Sequence, residues 1–118
     1  MVYWKIGVIL LFLAFGLSAC FDSKPAGYVL ADSKDYEASL FRQHCAICHG
    51  PEGEGKTLDD GTIVPSLRRG EFKKKTESEI HNQISEGGNG MTPFRTQLTE
   101  REIRLLTDLV HDRLRSGK

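Results

Sequence analysis

The sequence Cys45-Ala46-Ile47-Cys48-His49 follows the pattern C-x-x-C-H, which is the signature for covalent attachment of a c-type haem. The thiols of Cys45 and Cys48 are expected to add to the two haem vinyl groups as thioethers. His49 follows directly, so its imidazole is placed to ligate the iron from one side of the haem. The motif therefore predicts one covalently bound haem c held by these three residues.

Two other readings of the same residues have less support. A structural zinc site needs four ligands, usually in two spaced pairs, and the sequence offers no second pair. A redox-active C-x-x-C of the thioredoxin type begins a helix after a strand, and no strand is predicted before Cys45.

The N-terminus has the pattern of an export signal. Lys5 precedes a mainly apolar stretch over residues 6–19, which is shorter than the ~20 residues of a transmembrane helix. The third cysteine, Cys20, ends the run Leu17-Ser18-Ala19-Cys20, which resembles the bacterial lipobox. That resemblance implies a lipoprotein signal peptide over residues 1–19 and a lipid on Cys20. The alternatives are a cleaved signal that leaves a free thiol, and an uncleaved membrane anchor.

Lipidation at Cys20 would hold the protein on the periplasmic face of a bacterial membrane. Residues 20–33 are predicted to be a lipidated tether, and residues 34–118 to be a single monohaem domain. The 16 basic and 16 acidic residues of the chain leave no strongly basic face, so nucleic-acid binding has no support.

Three helices are predicted, and no stretch alternates as a strand would, so the fold class is all-α. The first helix is expected over residues 33–47, with Tyr36, Leu40, Phe41 and His44 along one side, and residues 50–75 are expected to form loops. Capping boxes predict the other two helices, with Thr76 and Glu79 at the start of one and Thr99 and Glu102 at the start of the other. The last helix has an apolar stripe formed by Ile103, Leu106, Leu109, Val110 and Leu114.

Met91 is the candidate for the second iron ligand. It is the only methionine left once Met1 is removed with the signal, and Gly87, Gly88 and Gly90 precede it. These glycines allow the backbone to approach a haem closely. The alternative is a methionine that fills the core. The rival ligands are His44, His81 and His111.

The order C-x-x-C-H-G, then Pro65-Ser66-Leu67, then Met91 and a capped last helix resembles class I cytochrome c over residues 33–114. The resemblance implies three to four short helices around one haem. It also implies that the first and last helices cross, with Phe41 meeting Leu106, Leu109 and Val110. The carbonyl of Pro65 would accept a hydrogen bond from His49. Glu37, Leu109 and Thr92 depart from the family pattern, and Arg68, Arg69 and Arg95 are propionate candidates by charge alone.

The expected function is one-electron transfer rather than enzymatic turnover. His49 and Met91 would both ligate the iron, leaving no position for a substrate. By resemblance to the family, the partners would be a respiratory donor and a terminal oxidase or reductase, and the chain would act as a monomer. The alternative is a haem-based gas sensor in which Met91 dissociates.

Overall fold

The computed structural model describes residues 27–116. The predicted signal peptide, Cys20 and the first part of the predicted tether lie outside the described residues. Within residues 27–116, no helix is long and apolar enough to cross a membrane.

The described chain is mainly helical, which confirms the predicted all-α class. Its elements are α1 (Tyr36–His44), α2 (Ala46–His49), β1 (Lys56–Thr57), β2 (Ile63–Val64), α3 (Glu77–Glu86), α4 (Glu100–Asp108) and a π-helical continuation of α4 (Leu109–Leu114). The two-residue strands pair antiparallel, with Lys56 opposite Val64 and Thr57 opposite Ile63.

The first predicted helix is divided into α1 and α2. Helix α1 begins after Asp35, whose backbone is extended, and it ends at His44. Cys45 has φ −113°, outside the range of a regular helix, and α2 then forms a single turn up to Gly50. The break lies at the first cysteine of the motif. Tyr36 is exposed, but its hydroxyl donates to the carboxylate of Glu102 on α4, so its side chain reaches the helix against which α1 packs.

The later helices begin as predicted. Thr76 and Glu79 form a complete capping box at the start of α3, and Thr99 and Glu102 form another at the start of α4. The predicted apolar stripe is buried throughout, and its members belong to one core cluster: Ile103, Leu106, Leu109, Val110 and Leu114. The hydrophobic period therefore predicted the buried face of the last helix correctly.

Helix α1 packs against α4, as the family resemblance implied. Phe41 is 1% exposed and lies in the same core cluster as Leu106 and Leu109. Glu37, one of the departures from the family, forms an ion pair across this crossing. Its Oε1 lies 3.1 Å from Nη1 of Arg113. The polar residue at this position is thus matched by a cation on the other helix.

The folded domain begins earlier than the sequence suggested. Leu30 is completely buried in the core cluster, although the tether was predicted to extend to residue 33. Nη1 of Arg42 donates to the carbonyls of Leu30 at 2.5 Å and Ser33 at 3.1 Å. Residues 28–33, which we call the strap, therefore pack onto the domain ahead of the predicted boundary at residue 34.

Candidate functional site

The C-x-x-C-H motif lies on the short helix α2. The backbone N–H groups of Cys48 and His49 donate to the carbonyl of Cys45, at 3.2 and 2.9 Å. One helical turn therefore separates the two cysteines, which brings their side chains to the same side of the helix. His49 comes one residue later and is half-buried.

The two cysteines are free and lie in different surroundings. Cys48 is exposed, whereas Cys45 is half-buried and packs against the core cluster. Burial raises the pKa of the Cys45 thiol to about 12, with a smaller contribution from Cys48. A catalytic redox cysteine needs a lowered pKa, because the thiolate is the nucleophile. The structure therefore gives no support to a thioredoxin-like dithiol.

His49 has the properties of a metal-binding imidazole. Burial lowers its pKa, which favours the neutral ring that can donate a lone pair. Its Nδ1 atom is buried and has no hydrogen-bond partner. The hydrogen bond expected from His49 to the carbonyl of Pro65 is therefore not formed in this structure.

Pro65 is connected to the motif by another route. The N–H of Gly55 donates to the carbonyl of His49 at 2.8 Å. A β-carbon at Gly55 would lie 2.5 Å from the carbonyl oxygen of Val64 and 2.8 Å from the carbonyl carbon of Pro65. The backbone before and after Pro65 is thus packed directly against the residue that is bonded to His49.

Met91 lies in a short loop between α3 and α4. Its N–H and C=O groups pair with those of Gly88, at 3.0 and 2.9 Å. The two residues between them, Asn89 and Gly90, have φ +53° and +85°, the combination that a type I′ turn requires. The Met91 side chain is half-buried and packs against the core cluster.

Gln83 and Gly87 hold this loop against the end of α3. The Gln83 amide donates to the carbonyls of Gly87 and Gly88, at 3.0 and 3.1 Å, and lies 3.8 Å from the sulfur of Met91. At Gly87, a β-carbon would lie only 2.5 Å from the Met91 carbonyl oxygen. The sulfur of Met91 is therefore carried by a backbone with little freedom.

The rival histidines have other partners. The ring of His44 packs edge-on against Phe94, with 6.0 Å between centroids. Nε2 of His81 lies 3.0 Å from the carboxylate of Glu100. Nδ1 of His111 lies 2.6 Å from that of Asp112. Each of the three histidine rings therefore has a protein partner in this structure, so none of them needs an iron to explain its position.

Comparisons with known proteins identify the family of the chain. Residues 35–110, more than half of the chain, match the family described as "Cytochrome C oxidase, cbb3-type, subunit III". The chain belongs to this family of c-type cytochromes. A solved structure described as "KustC0563 c-type cytochrome" is 35% identical, with a TM-score of 0.54. That match covers 62% of this cytochrome and 90% of the other chain. The search of curated proteins found no match to this cytochrome.

The residues of the cytochrome fit a covalently bound haem c. The motif supplies two free thiols and an imidazole with an unpartnered nitrogen. Beside Cys48 there is an open cavity of about 380 Å³, lined by Ile47, Cys48 and residues 56–60, which leaves room next to this sulfur. Zinc fits less well, because in the described part of the chain the ligand atoms close enough to share a metal are those of Glu77, His111 and Asp112.

Arg68 and Arg95 have protein partners that the sequence did not indicate, and Glu52 was missed as one of them. Arg68 was a propionate candidate by charge, yet its guanidinium is bonded to Glu52 and to the carbonyl of Tyr28. Arg95 is paired with Glu86 on the surface. The Asn89-Gly90 turn was also missed, although this dipeptide is a strong turn signal and could have shown it.

Proposed function

We propose that this cytochrome is a one-electron carrier whose single haem is bound by Cys45 and Cys48 and ligated by His49 and Met91. The observation that carries the proposal is the Met91 loop. A half-buried methionine is fixed there by its pairing with Gly88 and by close packing against Gly87. A thioether held in this way resists displacement better than one on a mobile loop, because less conformational entropy is lost when it binds.

Each residue has a distinct role in the proposal. Cys45 and Cys48 hold the cofactor through thioether bonds, and the neutral imidazole of His49 donates to the iron. When bound, the haem supplies an iron that cycles between Fe(III) and Fe(II). A His/Met pair raises the reduction potential relative to two nitrogen ligands. The chain would then accept and pass on electrons without binding a substrate.

The proposal includes a place in the cell. We propose that Cys20 carries lipid and holds a monomeric domain at the periplasmic face of a bacterial membrane, where it meets redox protein partners. A respiratory donor and a terminal oxidase or reductase are the proposed pair. The description of the matching family, as an oxidase subunit, supports this direction.

Carbon monoxide tests the proposal, because it binds ferrous haem only when an axial position is open. Purified haem-loaded protein is reduced at neutral pH, and its visible spectrum is recorded before and after CO is added. We expect the six-coordinate spectrum to persist. An immediate shift would contradict the electron-carrier proposal and favour the alternative, a gas sensor from which Met91 dissociates.

A further inference from the structure

Glu52, three residues after His49, is bonded through its backbone and both carboxylate oxygens. Oε2 accepts from the N–H of Leu30 at 2.9 Å, and Oε1 accepts from that of Ala31 at 2.8 Å. Nη2 of Arg68 also donates to Oε2 at 2.8 Å, and Nε of Arg68 donates to the Glu52 carbonyl. The N–H of Glu52 donates to the carboxylate of Glu54. Glu52 therefore joins three separate segments of the chain.

Arg68 is shielded compared with the other arginines in ion pairs. The side chains of Arg68 and Glu52 are 18% and 31% exposed, whereas those of Arg104 and Glu100 are 69% and 58% exposed. A shielded pair is screened less by salt. Nη2 of Arg68 also donates to the carbonyl of Tyr28 at 2.8 Å, so the guanidinium reaches the strap as well.

The pair connects two backbone segments, the first of which is bonded to the backbone of His49. The first is the loop after the motif, in which Gly55 donates to the His49 carbonyl at 2.8 Å. The second is residues 64–68, of which Val64, Pro65 and Ser66 pack against Gly55. Leu67 donates to the carbonyl of Gly53 at 2.8 Å and joins the two segments directly. The Glu52–Arg68 pair adds a charged connection across the same two segments.

We propose that Glu52 and Arg68 are positioning residues for the imidazole of His49. They act through the two backbone segments that their ion pair connects. The proposal rests on the proposed function, in which His49 ligates the haem iron. Residues that orient a ligating histidine affect how well it donates to its metal. If the Glu52–Arg68 pair is loosened, the His49 imidazole should donate less to the iron. Fe(III) is then stabilised less than in the wild type, so the reduction potential should rise.

The variant Arg68→Lys tests the proposal, because it keeps the positive charge and removes the planar guanidinium with its several N–H donors. A single ammonium group cannot reproduce the planar set of donors that reaches Glu52 and Tyr28. The matched control is Arg104→Lys, which makes the same change in the exposed pair with Glu100. Both variants are prepared as full-length, haem-loaded protein and measured well below their unfolding temperatures.

The readouts are the reduction potential and the electron paramagnetic resonance spectrum of the ferric haem. For Arg68→Lys we expect a several-fold higher ratio of reduced to oxidised haem at a fixed solution potential, together with altered g-values. Arg104→Lys should match the wild type in both. A loss of thermal stability in Arg68→Lys with unchanged potential and g-values would overturn the proposal, because a merely structural role predicts that result.

Glu52→Gln, compared with Glu100→Gln, repeats the test if Arg68→Lys does not fold. Failure of both Glu52→Gln and Arg68→Lys to attach haem would count against the proposal, since it would indicate a role in folding. Failure of the proposed function is seen separately, as rapid CO binding by the wild-type protein.

Discussion

Gly87 lies against the backbone of Met91 so closely that a β-carbon at residue 87 would be 2.5 Å from the Met91 carbonyl oxygen. The same β-carbon would lie 2.7 Å from the nitrogen of Pro93. These contacts are with backbone atoms, which cannot turn aside as a flexible side chain does. The end of α3 and the loop that carries Met91 are thus fitted to each other, and only glycine satisfies the fit.

Gly87→Ala should therefore disturb the Met91 loop. The backbone at Gly87 has φ +69°, which alone costs a side chain about 1–3 kcal/mol, and the contact with Met91 adds to this cost. The measurement is denaturant unfolding of the haem-loaded protein, together with its oxidised spectrum. Gly90→Ala is the control, because it also has a positive φ but meets nothing within 4 Å. Equal effects of the two changes would contradict the close packing.

Met91→Ala should leave the haem attached and remove the sulfur ligand. The weak sulfur-to-iron absorption at the red end of the oxidised spectrum should disappear, because no thioether remains at residue 91. The ferrous protein should then bind CO, since one axial position has become open. His81→Ala is the control and should retain the band, because His81 is bonded to Glu100. An unchanged band in Met91→Ala would mean that another residue is the ligand.

The features that the sequence predicts correctly are those with a local signal. Thr76 and Thr99 each cap a helix through a glutamate three residues later, so the capping box needs no distant residue. The apolar stripe that begins at Ile103 is a local period as well. The C-x-x-C-H motif is also local, because it spans only residues 45–49. The family match confirmed that the chain is a c-type cytochrome.

The strap could not be predicted because it depends on distant contacts. Leu30 lies in the apolar run Tyr28-Val29-Leu30-Ala31, which is too short to show a helical or strand period, and its N–H is satisfied by Glu52, 22 residues later. Arg68 shows the same limit, since its charge alone gives no indication of its partners Tyr28 and Glu52, which lie on two other segments. In both cases the outcome depends on which groups the fold brings together.

Leu30→Ala should destabilise the domain although it lies before the first helix. The side chain is completely buried, and removing such a leucine costs about 2–5 kcal/mol. Denaturant unfolding of the haem-loaded protein measures the loss. Ile63→Ala is the matched control, because Ile63 is 77% exposed and should change stability little. Equal losses in the two variants would mean that the strap does not contribute to the core.

Cys20→Ser should release the protein from the membrane, because serine cannot carry the proposed lipid. Fractionation of expressing cells, followed by detection of the covalent haem, measures the distribution. Ser23→Ala is the control and should stay with the membrane, since it leaves the lipobox intact. Retention of Cys20→Ser in the membrane fraction would favour an uncleaved anchor instead.

Acid should remove a stabilising contact between the first and last helices. The Tyr36 hydroxyl donates to the Glu102 carboxylate at 2.5 Å. This bond, helped by the N–H of Thr99, lowers the pKa of Glu102 from 4.5 to about 2. A lowered pKa means that the folded state favours the carboxylate more than the unfolded state does. The contribution to stability is therefore present above pH 4.5 and lost as the pH falls toward 2.

The measurement compares denaturant unfolding of the wild type and Glu102→Gln between pH 7 and pH 2. The difference in stability should be largest near neutral pH and should shrink below pH 4.5. Other carboxylates with lowered pKa values, such as Asp35 and Glu79, titrate in both proteins and so cancel in the difference. Tyr36→Phe removes the largest cause of the shift, so the part of the acid-induced loss that depends on Glu102 should be smaller and should end at a higher pH. A difference between wild type and Glu102→Gln that stays constant across this range would contradict the assignment.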